Sequence, residues 1–214
     1  MKLTTLINFI LLINISFIKD IKGEQINEDT LLELTIPQIQ TLMKNNELTS
    51  YELVKFYLSR IGLYEDKINA TLSVNHNSLT LAKKLDKERQ DGIIRGPLHG
   101  IPIAIKDNIH TKNMPTTAGT LAFENFFPPY DATLVKNLKD AGAIIIAKTV
   151  LTEMANWMVL GMPNNYSAIG GYSFNPYDFR KDPRPDRDDG RGVLPTGSSS
   201  SGSGTASNFW VANI

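Results

Sequence analysis

Apolar residues along the chain recur at helical spacing in several segments and run continuously in two others. Ile39, Leu42 and Met43 follow Thr35 and Pro37, which predicts a helix capped by Thr35 with the proline in its first turn. Thr49-Ser-Tyr-Glu52 has the form of a capping box. It opens a helix whose Leu53, Val54, Tyr57, Leu58 and Ile61 share one face. Residues 78–90 predict a third helix, with Leu81 and Leu85 inward and its charges outward. Asp131 can cap a fourth that carries Leu134, Val135 and Leu138 and closes at Gly142, and residues 151–160 read as helix again. The uninterrupted runs at 101–105 and 143–147 read as strands, the second of the type buried on both faces of a sheet. This alternation predicts an α/β fold with a largely parallel or mixed central sheet covered by helices.

Composition narrows the classes of partner. The 214 residues are 42% hydrophobic and 21% charged, and Lys+Arg balance Asp+Glu at 22 each, so there is no basic footprint for nucleic acid. Residues 1–23 read as a signal peptide: Lys2 precedes an apolar stretch over 3–18 that Asn8 and Asn14 interrupt, and Gly23 is a small residue suited to cleavage. The stretch falls short of the about 20 apolar residues of a membrane span. The expectation is export to the secretory lumen or beyond, with no stable membrane span after cleavage. On that reading Asn69-Ala-Thr71 and Asn165-Tyr-Ser167 are glycosylation sequons. Cysteine is absent, which excludes a thiol nucleophile and leaves the fold to be held by its core. Residues 174–194 centre on the charged, Pro/Gly-rich stretch Lys181-Asp-Pro-Arg-Pro-Asp-Arg-Asp-Asp-Gly190 and predict a solvated surface loop.

Two lysines, Lys106 and Lys148, each end an apolar strand, where groups that act on ligands gather in α/β sheets. Either could instead snorkel to the surface or pair with a carboxylate such as Asp107 or Glu153. The run Gly197-Ser-Ser-Ser-Ser-Gly-Ser-Gly204 offers several hydroxyls on a flexible backbone, although by composition alone it could be a linker. Thr205-Ala-Ser-Asn-Phe-Trp-Val-Ala-Asn-Ile214 favours the entry to a packed helix. A desolvated amine and a serine cluster are the parts of a hydrolase that needs no histidine. His99 and His110 flank the lysine strand, but no G-x-S-x-G elbow accompanies them. Neither the histidines nor the carboxylates have a metal-ligand spacing, so no metal or organic cofactor is implied.

Three segments in order carry a resemblance. Gly96-Pro-Leu-His-Gly-Ile-Pro-Ile-Ala-Ile-Lys-Asp-Asn108 resembles the strand and turn that bear the catalytic lysine of the amidase signature family. Asp131-Ala-Thr-Leu-Val135 and Ala141-Gly-Ala-Ile-Ile-Ile-Ala-Lys-Thr149 are similar to the helix and strand that follow there, and Pro195-Thr-Gly-Ser-Ser-Ser-Ser-Gly-Ser-Gly204 resembles the Gly/Ser signature itself. The resemblance implies an amidase-signature fold over residues 24–214, incomplete at its C-terminus, and hydrolysis of a small-molecule or peptide amide. It implies Lys106 as base and Ser199 as the bridging serine, held in the family by a cis peptide bond, with Ser200 the alternative. Ser200, Ser201, Gly202 and Ser203 would position loop and substrate. The family has glycine where this chain has Ser198, and asparagine where it has Val150.

The nucleophile of the family lies in a Gly-Gly-Ser turn that would fall beyond Ile214, so the chain reads as the N-terminal part of an amidase with its C-terminal half missing. Two other readings stand beside this one. The chain could be a non-catalytic binding or interaction protein derived from an amidase, or a hydroxyl within 199–203 could itself have become the nucleophile.

Overall fold

A computed structural model describes residues 28–158 and 160–209. Three helices lead into the sheet: α1 (Glu28–Glu33), α2 (Ile36–Lys44) and α3 (Ser50–Ile68). The caps are those the sequence predicts. The Thr35 amide donates to Gln38 Oε1 at 2.8 Å, and Pro37 sits in the first turn of α2. At α3 the Thr49 amide donates to Glu52 Oε2 at 2.8 Å while the Glu52 amide donates to Thr49 Oγ1 at 3.1 Å. All five residues expected on the inner face of α3 are buried.

The chain continues through β1 (Thr71–Val74), α4 (Ser78–Gln90), β2 (Pro102–Lys106), α5 (Thr133–Asp140) and β3 (Ile144–Thr149). Strand order is β1-β3-β2, with β3 antiparallel to β1 and parallel to β2. The sheet is therefore mixed, and every residue of its central strand is buried, as the run of isoleucines requires. A two-stranded hairpin of β4 (Tyr166–Ser167) and β5 (Gly171–Tyr172) follows, and α6 (Ser201–Phe209) packs against β2 and β3. The core joins α2, α3 and α4 to the sheet through Met43, Leu53, Tyr57, Leu85, Ile103 and Ile145.

Several expectations are corrected. Residues 151–160 are not a helix: a 3-10 turn at Glu153–Asn156 passes through left-handed backbone at Met154 and Ala155, and Trp157, Met158 and Leu160 are exposed. Leu81 is 39% exposed, and Ala82 takes the inward place beside Leu85. Leu134 is likewise exposed, while Val135 and Leu138 are buried. Asp131 does not cap α5; Ala132 holds that position, and the Asp131 carboxylate instead accepts from the Lys112 amide and Lys139 Nζ.

The charged excursion over 174–194 is largely exposed and neutralises itself. Asp178 pairs with Arg180, Asp182 with Arg184 and Asp189 with Arg191, each two residues apart. The proposed signal peptide lies outside the described residues. Among the described residues, no helix is long and apolar enough to cross a membrane.

Neither sequon presents a free asparagine. Asn69 ends α3 in a left-handed conformation, and its Nδ2 donates to the Gly170 carbonyl at 2.5 Å and the Tyr172 carbonyl at 2.7 Å. Asn165 is 8% exposed. A glycan on Asn69 would replace one of the two amide hydrogens that tie α3 to the hairpin.

Glu65 is a buried carboxylate with no cation beside it among the described residues. It is 2% exposed, Oε1 accepts from the Thr71 amide at 2.7 Å, and Oε2 has no partner among the described residues. Burial pushes its pKa up to about 7. A carboxyl whose folded pKa lies above its unfolded one binds its proton more tightly in the fold, so it lowers stability as pH rises between the two values. Stability should fall by about 3 kcal/mol between pH 4.5 and 7 on this account and then level off. Glu65→Gln keeps the acceptor for Thr71 and should flatten that slope in urea titrations at pH 5 and pH 8.

Candidate active site

Parallel pairing sets Lys106 opposite Thr149 and Ile105 opposite Lys148. Successive residues of a strand point to opposite faces, so this register sends the two lysines to opposite sides of the sheet. The two amines meet different chemistry there.

Lys148 is fully buried, and its Nζ donates to the Ile109 carbonyl at 2.9 Å, the Pro115 carbonyl at 3.3 Å and Thr116 Oγ1 at 2.9 Å. Asp107 Oδ1 lies 3.2 Å from the same nitrogen, and Asp107 Oδ2 accepts from the Thr117 amide at 2.8 Å. Burial pushes the lysine down and the aspartate up, and the attraction between them opposes both shifts. Three acceptors and a carboxylate use every proton of an ammonium. Lys148 is thus a structural cation that pins the 107–117 loop to β3, one of the two outcomes weighed for it from sequence.

Lys106 is half-buried, and its Nζ lies 3.4 Å from Ser199 Oγ and 3.1 Å from Ser200 Oγ. Among the described residues it makes no ion pair, and burial alone pushes its amine below the ordinary lysine range. The two serines expected from sequence as alternatives for a bridge both reach Lys106, Ser200 the more closely.

The serine segment is not a linker. A 3-10 turn at Ser198–Ser200 leads directly into α6, and the backbone is held against the sheet. The Gly202 amide donates to the Val150 carbonyl at 2.9 Å. A Cβ at Gly202 would lie 2.4 Å from both Ala70 O and Val150 N, so only glycine allows this approach. Ser203 Oγ bonds Thr149 Oγ1 at 2.9 Å, on the same sheet face as Lys106. Ser201 is fully buried, and its hydroxyl has no partner among the described residues. Gly202 and Ser203 therefore tie the segment to the sheet.

No peptide bond among the described residues is cis, and so the expected cis link at the bridging serine is not seen. The turn is made through positive φ at Gly197 (140°) and Ser198 (53°). Ser198 stands in a conformation costly for a residue with a Cβ, and its Oγ donates to Asn164 Oδ1 at 3.1 Å. Thr152 Oγ1 donates to the Ser198 carbonyl at 3.0 Å and accepts from the Asn165 amide at 2.8 Å. Thr152 and Asn164 escaped the sequence reading because they lie in or beyond a segment read as helix. Thr152 had one signal, its position just after a strand that ends beside Lys106; Asn164 had none.

The histidines take no part in this cluster. His99 is fully buried, with Nε2 3.0 Å from the Leu85 carbonyl, and His110 packs its ring against Phe126 and Tyr130. Among the described residues, no three His, Asp or Glu side chains could together hold a metal ion.

Known proteins share this fold. The native peptide amidase of Stenotrophomonas maltophilia superimposes with a TM-score of 0.72 and 39% identity, over 81% of this chain and 34% of that one. An amidase family protein from Bacillus anthracis gives a TM-score of 0.73 at 34% identity, over 84% of this chain and 34% of its own. The A subunit of the glutamyl-tRNA(Gln) amidotransferase from Lawsonia intracellularis is 41% identical over 150 residues, which are 70% of this chain and 30% of that protein. The chain thus spans about a third of the length of these relatives. Residues 52–207 match the family model described as Amidase, and the chain belongs to the amidase family.

Proposed function

We propose that this chain supplies the proton-relay half of an amide hydrolase that cleaves the C–N bond of a small-molecule or peptide amide. One observation carries the reading: a half-buried amine whose polar neighbours are the hydroxyls of Ser199 and Ser200. A lysine is a useful base only when neutral, and desolvation without a carboxylate partner favours that form. Neutral Lys106 accepts a proton from Ser199, which accepts one from the attacking serine as its oxygen bonds to the amide carbon. When the C–N bond breaks, the proton held on Lys106 returns through Ser199 to the departing amine.

The attacking hydroxyl, on this reading, belongs to sequence beyond the serine run. Ser198 is committed to Asn164, Ser203 to Thr149, Ser201 is buried, and Ser199 and Ser200 are the hydroxyls engaged by Lys106. The peptide amidase, of which this chain covers 34%, has ample further sequence to carry one. Export through residues 1–23 is part of the same proposal, and N-terminal sequencing of secreted material should then begin at Glu24.

The purified chain should release no ammonia from a C-terminally amidated peptide, and the chain extended by the remaining two-thirds of a relative should. In the extended protein Lys106→Ala should lower kcat by about 10²–10⁴-fold, and Ser199→Ala should be similarly damaging. Activity that survives both substitutions would remove the assignment and favour a binding role.

Lys148→Met should act differently: it leaves Asp107 buried and unpaired, at about 3–5 kcal/mol of stability. A denaturation midpoint should register Lys148→Met and barely move for Lys106→Met. The pH profile gives a further check. A base works above its pKa, so kcat should rise with pH through a value below the ordinary lysine pKa of about 10.4. Lys106→Arg, charged throughout, should show no such rise.

A further inference from the structure

At the start of β3, about 17 Å along the strand from the Lys106 end, the surface opens into a cavity that the hydrolytic chemistry leaves unused. Its volume is about 390 Å³, within the range of small-molecule sites. Four cations line it, Lys84 from α4, Arg95, Lys112 and Lys139, and no carboxylate is among the lining residues. Arg95 and Lys139 are already paired with Glu88 and Asp131. Lys84 and Lys112 form no ion pair with any described residue, although Lys84 feels the charge of Glu88 at the next helical turn.

The wall also explains a misplaced leucine. Leu81 is 39% exposed because it faces this cavity rather than the core, next to the apolar floor at Ile144 and Ile145. Asn113, held at φ 74°, adds an amide at the rim beside Lys112. Spare positive charge beside exposed apolar surface selects one class of molecule: an anion on an apolar body.

We propose that this cavity binds an amphiphilic anion, a carboxylate or phosphate monoester carried on a short apolar chain. The anion would sit between Lys84 and Lys112, and the chain would cover Leu81. The site is separate from the serine cluster and does not depend on the proposed hydrolysis.

The test is isothermal titration of the full chain with sodium octanoate, octyl phosphate, inorganic phosphate and 1-octanol. Saturation at one site by octanoate or octyl phosphate is expected, and the tighter of the two identifies the head group. Octanol and inorganic phosphate should each bind at least about tenfold more weakly. The double variant Lys84→Glu/Lys112→Glu should weaken the anions by about tenfold or more, because it reverses the field at the head group. Leu81→Asn and Lys112→Gln, both conservative in size and at exposed positions, read the two halves of the site separately should the double variant fail to fold. Lys106→Ala must leave binding unchanged.

Absence of saturation by either amphiphile would overturn the proposal. So would equal binding of octanol, equal binding of inorganic phosphate, or binding that is lost with Lys106→Ala and kept in the charge-reversed variants.

Discussion

The register between β2 and β3 is the constraint on which the site depends. Lys106 stands opposite Thr149, so Lys148 belongs to the other face. A slip of one residue in either strand would turn that strand's side chains over and put both lysines on the same face. A slip of β3 would part Lys148 from Asp107, and a slip of β2 would take Lys106 away from the serines. The hydrophobic pattern protects against that slip, because all six positions of β3 are buried and the sheet is covered by helices. Thr149 shows the register at work: its hydroxyl meets Ser203 on the same side as Lys106 and locks the serine segment to the strand.

A second constraint acts at the backbone level. Gly202 approaches Ala70 and Val150 so closely that a methyl group has no room, and two residues of positive φ precede the serines. Left-handed backbone at a residue such as Ser198 costs on the order of 1–3 kcal/mol and persists where neighbours over-determine it. Here Asn164 holds its hydroxyl and Thr152 its carbonyl. The turn at Glu153–Asn156, itself left-handed at Met154 and Ala155, brings that support into place. Strain in the supporting segment and strain in the serine turn thus occur together, joined through the Asn156–Asn164 and Ser198–Asn164 bonds.

Much of the fold was legible because its signals are local. Capping boxes at Thr35 and Thr49, the five-residue face of α3 and the isoleucine run of β3 each declare themselves within a few residues. What failed depends on partners far along the chain. Leu81 has helical spacing, yet faces a cavity that three other segments build. Asp131 precedes a helix as a cap should, but Lys139 and the Lys112 amide compete for its carboxylate. Residues 151–160 have a helical pattern overridden by bonds from Thr152 and Asn164 to the serine turn. At the site, chemistry alone left Lys106 and Lys148 equal; family resemblance chose Lys106, and the register supplies the physical reason.

The comparison of the two amines also shows why hydroxyls would suit Lys106 in the role proposed for it. A carboxylate 3.2 Å from a buried ammonium raises the cost of removing its proton, which is what Asp107 does at Lys148. Placed beside Lys106, the same carboxylate would counter the effect of burial and leave a permanently charged, unreactive lysine. Serine hydroxyls can accept from the amine when it is protonated and donate to it when it is neutral, so they stabilise both states. A relay needs that indifference. With Ser199 and Ser200 as its polar neighbours, the protonation of Lys106 is set mainly by how far it is desolvated, and that is fixed by how tightly α6 seats on β3.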